Sequence, residues 1–249
     1  MDPNEVIFPI VQQEPNGLFR LIGTGFFITD DGLFASAKHV LLDVIDEAGN
    51  QTAPIGLVQF LPGDHYLLRP ILRCVSHDLA DVAVGVAAPI TDNTGAPLKN
   101  KLLTLSTEHS LVGAPVATYA YPKTVFRGER PQELHFYPAY FEGRIEAYFA
   151  SGRDRVVMPA PCFQTSMHVH GGASGGPVFG PNGAALGINS TGYDGTDCSF
   201  VSRIADILPL RVSGLITPRS SSSRDVVVQE LADDGFVIVR GPRLKSGQP

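Results

Sequence analysis

Cysteine is scarce in this 249-residue chain, which has only Cys74, Cys162 and Cys198. An odd, low count gives no disulfide framework and points to free thiols in a reducing compartment. A single Cys162–Cys198 bridge stays open, because sequence does not give distance. Basic blocks are missing too. The formal net charge is -6, and the one short positive stretch, Arg240 to Lys245, reads as a solvated tail. Nucleic acid is therefore not an expected partner. No apolar run is long enough for a membrane span, and the residues from Met1 to Pro9 have neither a basic start nor an apolar stretch. Without a signal peptide, a cytoplasmic location with no membrane partner is the expectation. Helical periodicity is also hard to find.

What the chain does have is turn formers and short apolar runs. It carries 26 Gly and 20 Pro, and 43% of it is hydrophobic, ample for a packed core. Short runs separated by turn signals favour an all-β barrel, and barrels of 200 to 250 residues commonly form one unit. Strands are expected at 6–11, 18–29, 33–37, 55–60, 66–76 and 82–86. A linker follows at Asp92 to Pro97. A second set is expected at 115–121, 133–149, 155–159, 176–179, 184–190 and 198–204. A short helix at 205–212, interrupted by Pro209, would close the main unit. Ser220-Ser-Ser-Ser-Arg224 reads as a flexible linker. Asp225 to Leu231 and Phe236 to Arg240, around Ala232-Asp-Asp-Gly235, read as a β-hairpin that docks on the barrel or on a partner.

The run Gly171-Gly172-Ala173-Ser174-Gly175-Gly176-Pro177-Val178 carries the chemistry. Glycines on both sides of a serine permit positive φ and close approach. The amides of Gly172 and Ser174 can then point at one spot beside the Ser174 hydroxyl, as a nucleophile with its own oxyanion hole requires. A serine needs a base, and the base needs an orienting carboxylate. His39 follows small residues at the end of the run Leu33 to Ala37, and Asp81 opens the apolar run Asp81-Val82-Ala83-Val84. Asp78 is the rival carboxylate. The order His, Asp, Ser is that of the chymotrypsin arrangement.

Four stretches, Gly23-Thr-Gly-Phe-Phe-Ile, Ala35-Ser-Ala-Lys-His39-Val, Asp81-Val-Ala-Val and Gly172-Ala-Ser174-Gly-Gly-Pro-Val, come in that order. By them the chain resembles the trypsin-like (chymotrypsin-fold) serine peptidases, most closely HtrA-type and other bacterial members. The likeness spans roughly residues 5 to 210. It implies two six-stranded antiparallel β-barrels with the site between them, about 5–90 and about 100–205, within a peptidase unit at 1–212. A linker at 213–224 and a hairpin and tail at 225–249 lie outside it. It also implies His39 as general base, Asp81 as its orienting group and Ser174 as nucleophile of an endopeptidase that works through an acyl-enzyme. Gly172 and Ser174 would supply the oxyanion hole. His168 falls at the base of the specificity pocket, Gly192 on a wall, and Ser199 where many members have glycine. Ser190 joins them as a substrate-binding residue. No aspartate at the base argues against Arg or Lys before the cut. Ala173 departs from the zymogen pattern, which has an aspartate there.

His168 and His170 share a face if their segment is a strand, which invites a metal reading. No further ligand sits at matching spacing, so no metal and no cofactor is expected. The partners expected are a protein or peptide substrate and a dedicated regulator acting through the C-terminal hairpin. Two other readings remain. One is a catalytically weak module that captures extended peptides by strand addition along Asn189 to Gly192. The other is a viral polyprotein peptidase, though no cleavage junction is obvious.

Overall fold

The computed structural model describes residues 2–42, 53–61, 63, 65–91, 94–122, 124–128, 132–192, 198–216 and 222–242. The first barrel is built from β1 (Ile7–Gln13), β2 (Phe19–Phe27), β3 (Leu33–Ser36), β4 (Ile55–Leu61), β5 (His65–Ser76) and β6 (Ala83–Ala87), with the short helix α1 (Lys38–Leu42) after β3. Its strands close in the order β1-β2-β3-β6-β5-β4. β3 and β6 are buried along their whole length, which their unbroken apolar sequences allow. Phe8, Phe26, Phe27 and Phe34 fill the interior, with Phe8 set 4.6 Å from Phe27 and edge-on to Phe34 at 5.6 Å.

One charged group is sealed inside. Arg69 on β5 is 1% exposed and donates to Gln59 Oε1 at 2.7 Å, to Asn100 Oδ1 at 2.8 Å and twice to the Ala88 carbonyl. Burial lowers its pKa to about 10. These bonds tie both ends of the segment that leaves the first barrel back onto it, since a buried guanidinium must have its donors satisfied.

The second barrel comprises β8 (Pro115–Ala120), β11 (Ala139–Phe149), β12 (Cys162–Thr165), β13 (Pro177–Phe179), β14 (Ala185–Gly192) and β15 (Ser199–Arg203). The order β13-β8-β11-β12-β15-β14 is closed by the pairing of β13 with β14. Before it comes β7 (Leu105–Ser106), parallel to β14, and β9 (Val125–Arg127) pairs with β10 (Glu133–His135) as a separate ribbon. Val116, Ile145, Phe163, Met167, Val178, Leu186 and Val201 make the core. The two six-stranded antiparallel barrels expected from the sequence are thus present.

The C-terminal segment differs from expectation. The residues read as a helix at 205–212 form a 3₁₀ turn at Ile204–Ile207 and then β16 (Arg211–Leu215). The chain does carry an added antiparallel pair, but its strands are β16 and β17 (Arg224–Val227), not two strands within 225–240. After β17 comes the helix α2 (Val228–Asp233), and β18 (Val239–Arg240) then lies parallel to β7. The stretch Gln229-Glu-Leu-Ala-Asp233 is made of helix-compatible residues. Long-range partners on β16 and β7 win over a local turn at Asp234-Gly235. Val226, Val228, Leu231 and Val237 are buried in the same cluster as the first barrel's core. Ser220 and Ser221 of the serine run, with the preceding residues 217–219, lie outside the described residues.

One further expectation is revised. Residues 155–159 are not a strand: Asp154 Oδ1 accepts from the amides of Val156 at 2.9 Å and Val157 at 2.7 Å, which folds the segment into a turn. The Cys162–Cys198 bridge that the sequence left open is not formed, and none of the three cysteines takes part in a disulfide, as their low, odd count led us to expect. No described helix is long and apolar enough to cross a membrane.

Candidate active site

His39 lies in the first turn of α1, directly after β3, and Asp81 lies just before β6. β3 and β6 are neighbours, with Ser36 opposite Ala83, so the sheet brings the two loops together at one end of the barrel. Asp81 Oδ1 accepts from the His39 amide at 3.0 Å, and Oδ2 meets His39 Nδ1 at 2.8 Å. A carboxylate facing Nδ1 places the proton there. The rival, Asp78, offers only its main-chain carbonyl, to Lys38 Nζ at 2.9 Å. Burial pushes the Asp81 carboxyl up, but the bond and charge of His39 and the bond from Ser190 outweigh it and hold the group below its ordinary value.

Ser174 sits in a loop whose backbone is fixed at several points. Gly172 and Gly175 have φ of +89° and +87°, accessible to glycine and costly for other residues. The Ala173 amide donates to the His170 carbonyl at 3.1 Å, a turn that needs positive φ at Gly172. A Cβ at Gly175 would stand 2.1 Å from the Thr24 carbonyl, so no side chain fits. The Ser174 carbonyl accepts from the Thr24 amide at 2.8 Å, and the Gly172 carbonyl from Thr24 Oγ1 at 2.9 Å. Among the described residues, the amides of Gly172 and Ser174 donate to no protein acceptor. Ala173 is fully buried.

Ser190 joins the parts. Its carbonyl accepts from Ser174 Oγ at 3.1 Å, and its own hydroxyl donates to Asp81 Oδ2. Met158 backs it, with Sδ 3.5 Å from Ser190 Oγ. Beside these groups opens a cavity of about 310 Å³, lined by His39, His168, Ser174, Ser190, Gly192 and Ser199 among others. The rings of His168 and His170 stand edge-on at 4.9 Å. Ser199 Oγ lies 2.9 Å from Thr165 Oγ1, and both residues are buried. None of the described lining residues is acidic. Among the described residues, no three or more His, Cys, Asp or Glu side chains are grouped so that they could hold a metal ion.

Of the site residues named from the sequence, His39, His168, Ser174, Ser190, Gly192 and Ser199 line one cavity, Gly172 lies in the loop that carries Ser174, and Asp81 stands behind, bonded to His39 and Ser190. Sequence reasoning missed Thr24 and Met158. Thr24 stands inside the Gly23-Thr24-Gly25 motif, whose flanking glycines were the available signal. Nothing in the sequence around Met158 indicates contact with Ser190.

Comparison with known proteins agrees with this architecture. The sequence pattern of the trypsin-like peptidase domain matches residues 23–188, well over half of the chain. No curated protein matches the chain by sequence. Among solved structures, Deg5 superposes with a TM-score of 0.56 at 17% identity, covering 81% of this chain and 85% of its own. An inactive form of Rv3671c from M. tuberculosis H37Rv gives 0.53 at 20% identity, covering 82% and 83%. The active form of the Rv3671c protease gives 0.53 at 22%, covering 82% and 78%. At these identities the likeness concerns the fold alone. By the match over residues 23–188, the chain belongs to the family of trypsin-like peptidase domains.

Proposed function

We propose that this chain is a serine endopeptidase acting on protein substrates through an acyl-enzyme. The observation that carries the reading is the Asp81–His39 pair opening onto the same cavity as Ser174. With Nδ1 held by Asp81, His39 Nε2 is the nitrogen that acts as base. The Ser174 hydroxyl, donated at rest to the Ser190 carbonyl, turns to Nε2 by a rotation about its side-chain bond. Hydrogen bonds of this kind commonly tighten only when substrate is bound.

The Ser174 oxygen then bonds to the substrate carbonyl carbon as its proton passes to Nε2. The carbonyl electron pair moves onto oxygen. The Gly172 and Ser174 amides, which have no protein acceptor among the described residues, receive that oxyanion. Collapse of the intermediate breaks the C–N bond, and the departing amine takes the proton from His39. Water repeats the sequence against the acyl ester and regenerates Ser174. Asp81 keeps Nδ1 protonated and stabilises the imidazolium formed at each step.

The cavity sets the preference before the cut. His168, His170, Ser190 and Ser199 offer polar edges and no negative charge among the described residues, which suits small, polar or acidic side chains. Ser199, anchored by Thr165, narrows the space. Ala173 has no carboxylate to pair with a freed α-amino group, so activation by N-terminal trimming is not part of the mechanism. Three cysteines without a disulfide suit a reducing compartment.

The experiment is hydrolysis of casein and of p-nitrophenyl acetate by the full chain and by Ser174→Ala and His39→Ala. We expect turnover of both substrates, with an initial burst on the ester equal to one acyl group per chain. Both variants should lose it. Turnover that survives in Ser174→Ala would refute the assignment.

A further inference from the structure

Thr24 has a place in the loop around Ser174 that its position in the chain does not suggest. It lies on β2 of the first barrel, while Gly172, Ser174 and Tyr121 belong to the second. It is fully buried, and all three of its polar groups are engaged. The amide donates to the Ser174 carbonyl at 2.8 Å, and the carbonyl accepts from Ser36 Oγ at 2.8 Å. The hydroxyl accepts from the Tyr121 amide at 3.2 Å and donates to the Gly172 carbonyl at 2.9 Å. A hydroxyl has one proton, so this relay runs in one direction, from Tyr121 through Thr24 to Gly172.

We propose that Thr24 is a positioning residue: its hydroxyl and amide together hold the Gly172–Ala173 and Ser174–Gly175 peptides, each next to a peptide that carries a donor amide, and so transmit the seating of the first barrel to the oxyanion loop. The proposal rests on the reading of Gly172 and Ser174 as oxyanion donors. The peptide joining Gly172 to Ala173 is gripped at both ends, its carbonyl by Thr24 Oγ1 and its amide by the His170 carbonyl. The peptide after Ser174 is gripped through its carbonyl by the Thr24 amide. Among the described residues, the amides of Gly172, just before the first clamp, and of Ser174, between the clamps, donate to no protein acceptor. Glycine at 171 and 172 leaves the loop easy to reorganise, so an external clamp is needed to keep both donors aimed at one point. The Thr24 amide survives any side-chain replacement. The hydroxyl does not, and with it goes the clamp on the Gly172 carbonyl, leaving that peptide held only through the Ala173 amide among the described residues.

The test uses Thr24→Val, which keeps the shape and removes the hydroxyl, and Thr24→Ser, which keeps the hydroxyl and removes a methyl. Three quantities are read for each full-length protein: kcat and KM for p-nitrophenyl acetate, the rate of phosphonylation of Ser174 by a fluorophosphonate, and Tm. Thr24→Val should lose roughly ten- to a hundredfold in kcat, less than the hundred- to thousandfold that accompanies loss of an oxyanion donor itself. KM should stay near that of the parent. The phosphonylation rate should fall in parallel, because the phosphonyl oxygen occupies the same place. Thr24→Ser should recover most of both. A Thr24→Val enzyme within about twofold of the parent in kcat and labelling rate overturns the proposal. So does a loss that tracks a fall in Tm and is not recovered by Thr24→Ser, since that is a folding effect only. If the parent protein is itself never phosphonylated at Ser174, the oxyanion reading fails and this proposal falls with it. A labelled parent with an unaffected Thr24→Val removes the proposal alone.

Discussion

Ser190 donates its hydroxyl to the Asp81 carboxylate across the seam between the two barrels. Asp81 arrives from the first barrel and Ser190 from β14 of the second. The acid side of the site thus depends on barrel docking as much as on the first barrel's own loops. Ser190→Ala removes this bond and leaves the carbonyl that receives Ser174 Oγ. Loss of a hydrogen bond to a charged group costs about 1.5–3 kcal/mol. We predict a fall in kcat of roughly tenfold with little change in KM, measured on an ester and a peptide substrate.

The depressed Asp81 carboxyl sets an acid limit on stability. The folded chain binds this proton less tightly than the unfolded chain does. Its contribution is therefore complete above the unfolded value and is lost as pH falls through the lower folded value. Thermal melts of the parent and of Asp81→Asn should differ by a constant amount near neutral pH, with the gap closing below about pH 4. A gap that widens in acid would mean that the carboxyl is raised rather than lowered. At neutral pH the same variant should lose about ten-thousandfold in kcat, as the wrong tautomer of His39 then faces Ser174.

Cleavage should be poor after Arg and Lys. A cation entering the cavity meets His168, His170 and the Ser199 hydroxyl, and no described carboxylate. An unpaired charge taken out of water costs several kcal/mol. A peptide library sorted by the residue before the cut measures this directly. Enrichment of Arg or Lys would show that another group supplies the negative charge.

The C-terminal segment should matter for stability. Val226, Val228, Leu231 and Val237 are packed into the first barrel's cluster, and Arg73 adds a bond to the Gly214 carbonyl at 2.7 Å. Leu231→Ala should cost about 2–5 kcal/mol, and ending the chain before Arg224 should give insoluble or unfolded protein. Urea unfolding checks the first and expression with circular dichroism the second. A soluble, fully folded truncation would make this segment an appendage and return it to the partner role.

The double barrel, and the stretches that meet at the candidate site, are legible in the sequence because short-range patterns encode them. Gly-rich turns on either side of Ser174, small residues before His39 and an apolar run after Asp81 are local signals. The C-terminus was not legible for the opposite reason. Val226 and Val239 sit in similar apolar runs around Asp-Asp-Gly, and local rules favour pairing them with each other. Their actual partners on β16 and β7 are set by tertiary contacts. Ser190 was placed in the site but with half its role: the bond to Asp81 depends on the seating of one barrel on the other. The Thr24 relay is hidden for the same reason, since a buried threonine in a strand is ordinary until its neighbours from the second barrel are known.

The most direct test of the account is the intact mass of the protein after reaction with a fluorophosphonate, followed by peptide mapping. The account predicts one phosphonyl group per chain, attached to Ser174, with no adduct in Ser174→Ala and a much slower one in His39→Ala. An unmodified protein, or an adduct mapped to any other residue, would contradict it.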